Sequence, residues 1–408
     1  MARKMALISL IGKGNLLKDS KGYIGTKYYF NETQETIHTS FFGSALYKVL
    51  IGQGYDIDKW LIFGTSKSNW SELLYVVEEK YHDEMIELYD RVYNEENKEI
   101  SKSLLSKWEE ELQKHLPGIR LIVVDPLDFE IYMNKMMTEI SNDNRDVVLD
   151  ITHAFRHMPV VIAFSLMVLK HIKDISNIMV YYGAFELKVN RFDQNEPTPV
   201  LKIDFINTLV SYAENLAIFN NSGYFPYILE NLGIDNTDKT YFWLEMNRQP
   251  RMDLESINNI LEEKIAEKDH QANIAHYIKK EIEPLIGASL HKRMVARAKF
   301  FFDKKQYLKS LILLYEGLII AVGRKYGIEA GQDFKRNEKI RDYMKKNQNT
   351  IFKDKGQIDT YFKLEYTRNA AVHGSRSIGT QNFVEQQNQF EILFSKGLEI
   401  YEYITEDK

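Results

Sequence analysis

In the first half of the chain, apolar residues fall into short runs separated by longer amphipathic stretches, the pattern of strands alternating with helices. Strands are predicted at 6–11, 59–63, 119–124, 146–149 and 177–182, with helices at about 39–53, 70–94 and 127–142. That order predicts a Rossmann-like α/β domain with a mainly parallel sheet and helices on its faces. Residues 23–29 and 36–38 read as a small hairpin inserted after the first strand. The stretch 184–205 reads as a closing hairpin with Pro197 and Pro199 in its turn. After Phe205 the strand signals stop, and the apolar positions recur with helical period. The predicted organisation is therefore α/β plus all-α: an α/β domain over 1–204, a helical connector over 205–286, and an all-α domain over 287–408.

Two predicted helices, 159–169 and 307–322, are apolar almost all the way round. Such a helix must be covered on more than one side. A two-fold contact between identical subunits provides that cover, and so does deep burial within one subunit. The pattern leaves both open, and the first makes the chain a homodimer.

The longest apolar run, 158–169, is well short of the roughly 20 residues that cross a bilayer, so no membrane segment is expected. The start MARKMALISLIGKGN reads as a strand rather than a secretory leader. The absence of cysteine excludes disulfides, thiolate metal sites and a cysteine nucleophile, and fits a reducing cytoplasm. A formal net charge of −5 argues against a general nucleic-acid coat. Charge is uneven, however: Lys292, Arg293, Arg297, Lys299, Lys304, Lys305 and Lys309 stand against Asp303 alone within 289–309. If nucleic acid is handled, that end is expected to handle it.

Ligands of open α/β sheets bind beyond the carboxyl ends of the strands. Three loops occupy that position. Gly12, Lys13, Gly14 and Asn15 follow the first strand and could cradle a phosphate, or simply turn the chain. Gly64, Thr65, Ser66 and Ser68 precede Trp70, whose ring could stack on a base; alternatively Ser68 or Asn69 caps a helix and Trp70 is core. The third loop follows Asp150 and carries Thr152, His153, Arg156 and His157 ahead of Pro159, concentrating donors at a helix N-terminus as an anion site would. His157 can equally be structural.

Near the other end stands Arg368-Asn369-Ala370-Ala371-Val372-His373-Gly374. An imidazole can move the protons of a 2′-hydroxyl and a 5′-oxygen, and a guanidinium can stabilise the charge of a pentacoordinate phosphoryl group. Asn369 could orient the guanidinium or touch phosphate. Five residues apart on one helix, arginine and histidine point about 140° from each other. Distortion near Gly374 or a matching helix of a second subunit would be needed to bring them together. Glu316 interrupts the apolar helix and needs a partner, which could be a nearby lysine or arginine, or Arg368 itself. No metal-ligand spacing and no Walker-type loop occurs, so no metal or other cofactor is expected.

The Gly-Lys-Gly-Asn loop, Tyr23-x-x-Thr26-x-Tyr28, Gly64-Thr65 followed by Ser68-x-Trp70, and Asp150-Ile151-Thr152-His153-x-Phe155-Arg156-x-x-Pro159 resemble the CARF domains of CRISPR-associated proteins over roughly the first 200 residues. Arg368, a polar Asn369 and His373 in an all-helical domain resemble the HEPN ribonucleases over about 120 residues. The pairing implies an antiviral sensor-effector of type III CRISPR systems. By that resemblance a cyclic oligoadenylate binds across the two-fold axis of a CARF dimer, a ring of four adenylates being expected ahead of six. It activates metal-independent cleavage of single-stranded RNA at a site built from Arg368, Asn369 and His373, leaving 2′,3′-cyclic phosphate and 5′-hydroxyl ends. DNA, lacking the attacking hydroxyl, should resist. Two alternatives stay open: a non-catalytic sensor or RNA-binding dimer, and a CARF phosphodiesterase that degrades its own activator.

Overall fold

The computed structural model describes residues 4–14, 23–190, 193, 195–287, 289–329, 334–374 and 379–406. The chain divides into two compact units, Met1–Val210 and Ser211–Lys408.

The first unit is built on eight strands: β1 Lys4–Ile11, β2 Thr26–Phe30, β3 Glu35–Thr39, β4 Asp56–Gly64, β5 Ile119–Val123, β6 Arg145–Asp150, β7 Ile175–Gly183 and β8 Thr198–Lys202. They form one sheet in the order β3-β2-β8-β7-β6-β1-β4-β5. β5, β4, β1, β6 and β7 run parallel, as predicted. The central strands are apolar on both faces because both are covered: β1 buries every residue from Met5 to Ile11, and β6 is buried throughout. Helices α1 Phe42–Gly52, α2 His82–Glu95, α3 Lys102–Gln113, α4 Glu130–Glu139 and α5 His157–Ile172 provide the cover, leaving a core on each side of the sheet.

Two local expectations change. The stretch from Trp70 does not begin as α-helix; it forms two 3-10 turns, Trp70–Val76 and Glu79–Tyr81, before α2. The hairpin β2–β3 follows β1 as expected and lies at the far edge of the sheet, joined in parallel to β8. Pro199 lies inside β8 rather than in a turn. A proline donates no amide hydrogen; its carbonyl accepts from the Ala184 N–H at 2.9 Å and the register with β7 starts one residue later at Val200, so the missing donor falls at the end of that ladder.

At the amino ends of the central strands Arg145 is fully buried. Its Nη1 donates to Asp58 at 2.8 Å and its Nε to Asp143 at 2.7 Å, while Nη2 bonds Ser141 at 2.6 Å. Paired in this way the cation ties β6 to β4 and to the turn before β6.

The second unit is helical: α6 Phe205–Ser222, α7 Pro226–Asn231, α8 Asp238–Glu245, α9 Arg251–Ala266, α10 His270–Ile282, α11 Leu290–Asp303, α12 Tyr307–Lys325, α13 Phe334–Lys346, α14 Gln348–Ile351, α15 Lys355–His373, α16 Gln381–Glu385 and α17 Gln387–Thr405. One hydrophobic core runs through it, from Tyr212 and Phe219 to Ile400 and Ile404. The segment expected as a connector therefore shares its core with the helices that follow.

The two all-apolar helices have different fates. α12 buries Leu311, Leu313, Leu314 and Leu318 through Val322 within its own unit. α5 buries Met158, Ile162, Leu166 and Leu169, but exposes Val160, Phe164, Val168 and Ile172 by 51 to 64%. These four recur at every fourth position, forming a continuous apolar stripe. No helix among the described residues is long and apolar enough to cross a membrane.

Candidate functional site

At the carboxyl ends of β1, β4, β5, β6 and β7 the first unit opens into a cleft of about 1080 Å³. The chain leaves β1 toward β4 on one side and returns to β6 on the other, so the cleft lies where the strand order reverses.

Its floor is fixed by short-range polar bonds. The Gly12 N–H donates to the Tyr23 hydroxyl at 2.6 Å, and that hydroxyl donates to the Gly12 carbonyl at 2.8 Å. Gly12 also approaches the loop after β6 so closely that a Cβ would meet Ala154 Cα at 3.1 Å. Ala154 itself holds a left-handed φ of 82°, a conformation uncommon for a residue with a side chain. The Asn69 N–H donates to the Gly12 carbonyl at 2.9 Å, joining the loops after β1 and β4.

The loop after β6 is held from beneath. Asp150 is fully buried and accepts from the Thr152 N–H at 2.8 Å, while Thr152 Oγ1 accepts from the Gly183 N–H at 2.9 Å. Burial pushes the Asp150 carboxyl up to about 7, against the opposing pull of bonds from Thr152 and Ser9. His153 packs between Tyr23 and Phe41, with ring centroids at 4.2 and 5.6 Å, and its Nε2 accepts from the Phe42 N–H at 3.2 Å. Burial pushes the imidazole down to about 3, so it stays neutral.

Of the residues singled out in the sequence, Gly12, Lys13, Gly14, Thr65, Ser66, Ser68, Thr152 and His153 line this cleft together. Asn15 lies outside the described residues. The remainder need correction. Trp70 is fully buried and its Nε1 donates to the Thr65 carbonyl at 3.0 Å, so its ring offers no stacking face. Gly64 serves packing, because a Cβ there would collide with Ile11 and Trp70 at 2.7 Å. The Ser68 hydroxyl is committed to the Ile11 carbonyl at 2.8 Å and the Thr65 N–H at 2.9 Å. Arg156 is the exposed N-cap residue of α5 and does not line the cleft. His153, being neutral and an acceptor, is no cationic donor. His157 bonds the Pro126 carbonyl at 2.7 Å, which is the structural role.

The sequence reading missed other walls. Tyr23, Tyr28, Phe155 and Phe185 supply aromatic faces, Phe155 being 55% exposed. Lys67 and Lys102 add cations beside Lys13, and Glu99, Asp125 and Glu186 add acids. Apart from Tyr23, Tyr28 and Phe155 in their quoted patterns and Lys67 within the loop after β4, these positions lie outside the motifs, on separate segments that only the folded sheet brings together.

Residues 6–192 match the family model described as the CARF domain of CRISPR system endoribonuclease Csx1. The N-terminal unit is a CARF domain. The match stops short of the helical unit. The chain is also 23% identical over 359 residues to the CRISPR-associated protein MJ1674 of Methanocaldococcus jannaschii, an alignment covering 79% of this chain. The chain spans about half the length of that relative, 54% by alignment. The eight cleft-lining residues that the sequence singled out lie within the matched span of the CARF domain.

In the helical unit, Arg368 and His373 both lie on α15, which stays helical through His373 and ends at Gly374 with a left-handed φ of 61°. The helix is not distorted between them, so the two side chains diverge within one chain. Arg368 is half-buried: Nη2 pairs with Glu316 Oε1 at 3.4 Å, Nη1 donates to Asn369 Oδ1 at 3.0 Å, and the guanidinium lies 5.5 Å from the Tyr315 ring centre. Glu316 does hold Arg368, and Asn369 orients it. His373 is exposed.

The basic run before α12 is largely spent on internal contacts. Arg297 is buried and donates to the Leu244 carbonyl and, at 3.0 Å, to the Arg248 carbonyl, caring for the open end of α8. Lys304 pairs with Glu281 at 3.4 Å and Lys309 with Glu245 at 2.5 Å. Lys292, Lys299 and Lys305 remain exposed, so part of the run braces the helices and part stays on the surface.

Proposed function

We propose that this chain is a cyclic-oligoadenylate-activated endoribonuclease of CRISPR antiviral defence, in which the CARF cleft takes the messenger and α15 carries the cleavage chemistry. The carrying observation is Arg368 held ready by Glu316 and Asn369 on the same helix as an exposed His373.

In the cleft, the loop amides around Gly12 and the lysines Lys13, Lys67 and Lys102 suit phosphates. Phe155 and Phe185 suit adenine faces. The ring is taken by two copies of the chain, with the stripe Val160, Phe164, Val168 and Ile172 as the apolar contact. The same pairing supplies what one α15 lacks, a His373 facing an Arg368. The 2′-oxygen attacks phosphorus as the imidazole takes its proton. The bond from phosphorus to the 5′-oxygen breaks, and that oxygen receives a proton. Arg368 neutralises the phosphoryl oxygens meanwhile. Products are a 2′,3′-cyclic phosphate and a 5′-hydroxyl, and imidazole with guanidinium suffices without a metal ion.

The test is cleavage of fluorescent single-stranded RNA and DNA by the purified chain, in EDTA, with cyclic tri-, tetra- and hexaadenylate in turn. The reading expects one ring size to stimulate RNA cleavage and none to stimulate DNA cleavage. RNA left intact under every ring, with and without divalent metal, overturns it.

A further inference from the structure

Beside Arg368 the helical unit contains a second cavity, of about 280 Å³, between α12, α13, α15 and the turn after α8. Arg248, Arg341 and Arg368 line it, and Glu316 is the sole acid among its described lining residues. Asn337 also lines it and is only 7% exposed.

One carboxylate sets the orientation of two neighbours. Glu316 Oε2 accepts from Asn337 Nδ2 at 3.2 Å, and Oε1 from Arg368 Nη2 at 3.4 Å. The amide cannot be turned over, since that would set its oxygen against the carboxylate. The arrangement leaves Asn337 Oδ1 and Arg368 Nε buried with no hydrogen-bond partner. A buried acceptor and a buried donor, each without a partner in the protein, are costly unless something bonds them. A ribose phosphate satisfies both: its phosphoryl oxygen accepts from a guanidinium, and its 2′-hydroxyl donates to an amide oxygen. A deoxyribose satisfies only the first.

We propose that this cavity is the subsite for one ribonucleotide of the substrate strand, with Asn337 accepting the 2′-hydroxyl and so selecting RNA over DNA at binding, before any chemistry. The inference rests on the ribonuclease reading and adds to it a positioning and specificity residue outside the Arg368 to His373 motif.

The test uses the full chain with His373→Ala, which stops turnover, and fluorescein-labelled single-stranded RNA and DNA of one sequence. RNA should bind about tenfold more tightly, the scale of one hydrogen bond. Asn337→Ala should remove most of that preference by weakening RNA while leaving DNA unchanged, and Asn337→Ser, with a shorter acceptor, should fall between. RNA containing one 2′-deoxynucleotide at the sensitive position should bind both Asn337→Ala and its parent equally. A purely structural or water-holding Asn337 would weaken RNA and DNA alike, or neither, in both variants. Either outcome overturns the subsite while leaving the ribonuclease reading standing if the wild type still cleaves RNA. Failure of the chain to bind or cleave RNA under any activator overturns both.

Discussion

The two candidate sites are finished to different degrees within one chain. The CARF cleft has its walls, floor and polar groups in place: the ends of five strands converge on it, and Tyr23, Asp150 and Thr152 fix its loops through bonds of 2.6 to 2.9 Å. The α15 site has its guanidinium restrained by Glu316 but its imidazole on another face of the helix. An open sheet creates a binding site by itself, because parallel strands end together and their loops must gather. A single helix cannot, because five residues of 3.6-residue turn separate side chains rather than join them. The first site is a property of the fold; the second, on the proposed reading, is completed by another copy of the chain.

The largest effect expected from breaking this asymmetry is at α15. Arg368→Ala or His373→Ala should each lower single-turnover RNA cleavage by about a thousandfold or more, with messenger binding by calorimetry unchanged. Mixing the two variants should restore part of the activity if the site is composite, whereas none returns if each chain acts alone. Next comes the cleft: Lys13→Ala together with Thr152→Ala should weaken messenger binding by about ten- to a hundredfold, while Trp70→Phe should leave it unchanged, since that ring is core. Loss of binding in Trp70→Phe with normal melting would restore the stacking role.

A smaller effect separates the two apolar helices. Leu318→Ala on α12 should cost about 2–5 kcal/mol of stability by thermal or denaturant unfolding. Phe164→Glu on α5 should leave the melting temperature nearly intact but shift the assembly toward monomer in sedimentation. A dimer untouched by Phe164→Glu would place the two-fold contact elsewhere.

The smallest effect concerns Asp150. Its folded carboxyl is raised to about 7 against an ordinary value near 3.9, so the folded state binds the extra proton between those pH values. Its protonated form therefore contributes stability that is fully present at pH 4 and lost as pH rises through about 7. Asp150→Asn, which keeps an acceptor for the Thr152 N–H, should gain stability relative to wild type as pH is raised from 4 to 8. A melting difference that stays flat across that range contradicts the shift.

The central strands were legible because β1, β4 and β6 carry short, mostly apolar stretches, Met5 to Ile11, Trp60 to Phe63 and Val147 to Leu149, that are buried on both faces. The loops after β1, β4 and β6 were legible because glycine, hydroxyl and lysine residues follow those runs directly. Trp70 stayed open between stacking and core, because the core it joins includes distant residues such as Trp108 of α3, whose Nε1 donates to the Trp70 carbonyl at 2.9 Å across 38 residues. Phe185 and Glu186 gave no signal of their own, and only the sheet order brings their segment to the cleft. α12 and α5 looked alike in sequence because an apolar surface does not state which chain will cover it. Glu316 stood out as a charge in an apolar helix, and Arg368 proved to be its partner.

The seam between β2 and β8 carries one more consequence. The hairpin β2–β3 meets the rest of the sheet along three paired positions of β8, Tyr28 with Thr198, Tyr29 with Pro199 and Phe30 with Val200, supplemented by a hydroxyl bond from Thr26 to Thr198 at 2.7 Å. Three paired positions make a short seam beside the eight that join β1 to β4. Deuterium should enter the hairpin amides earlier than those of β1 or β6, and gentle denaturant should peel this flap away while the five parallel strands keep their order.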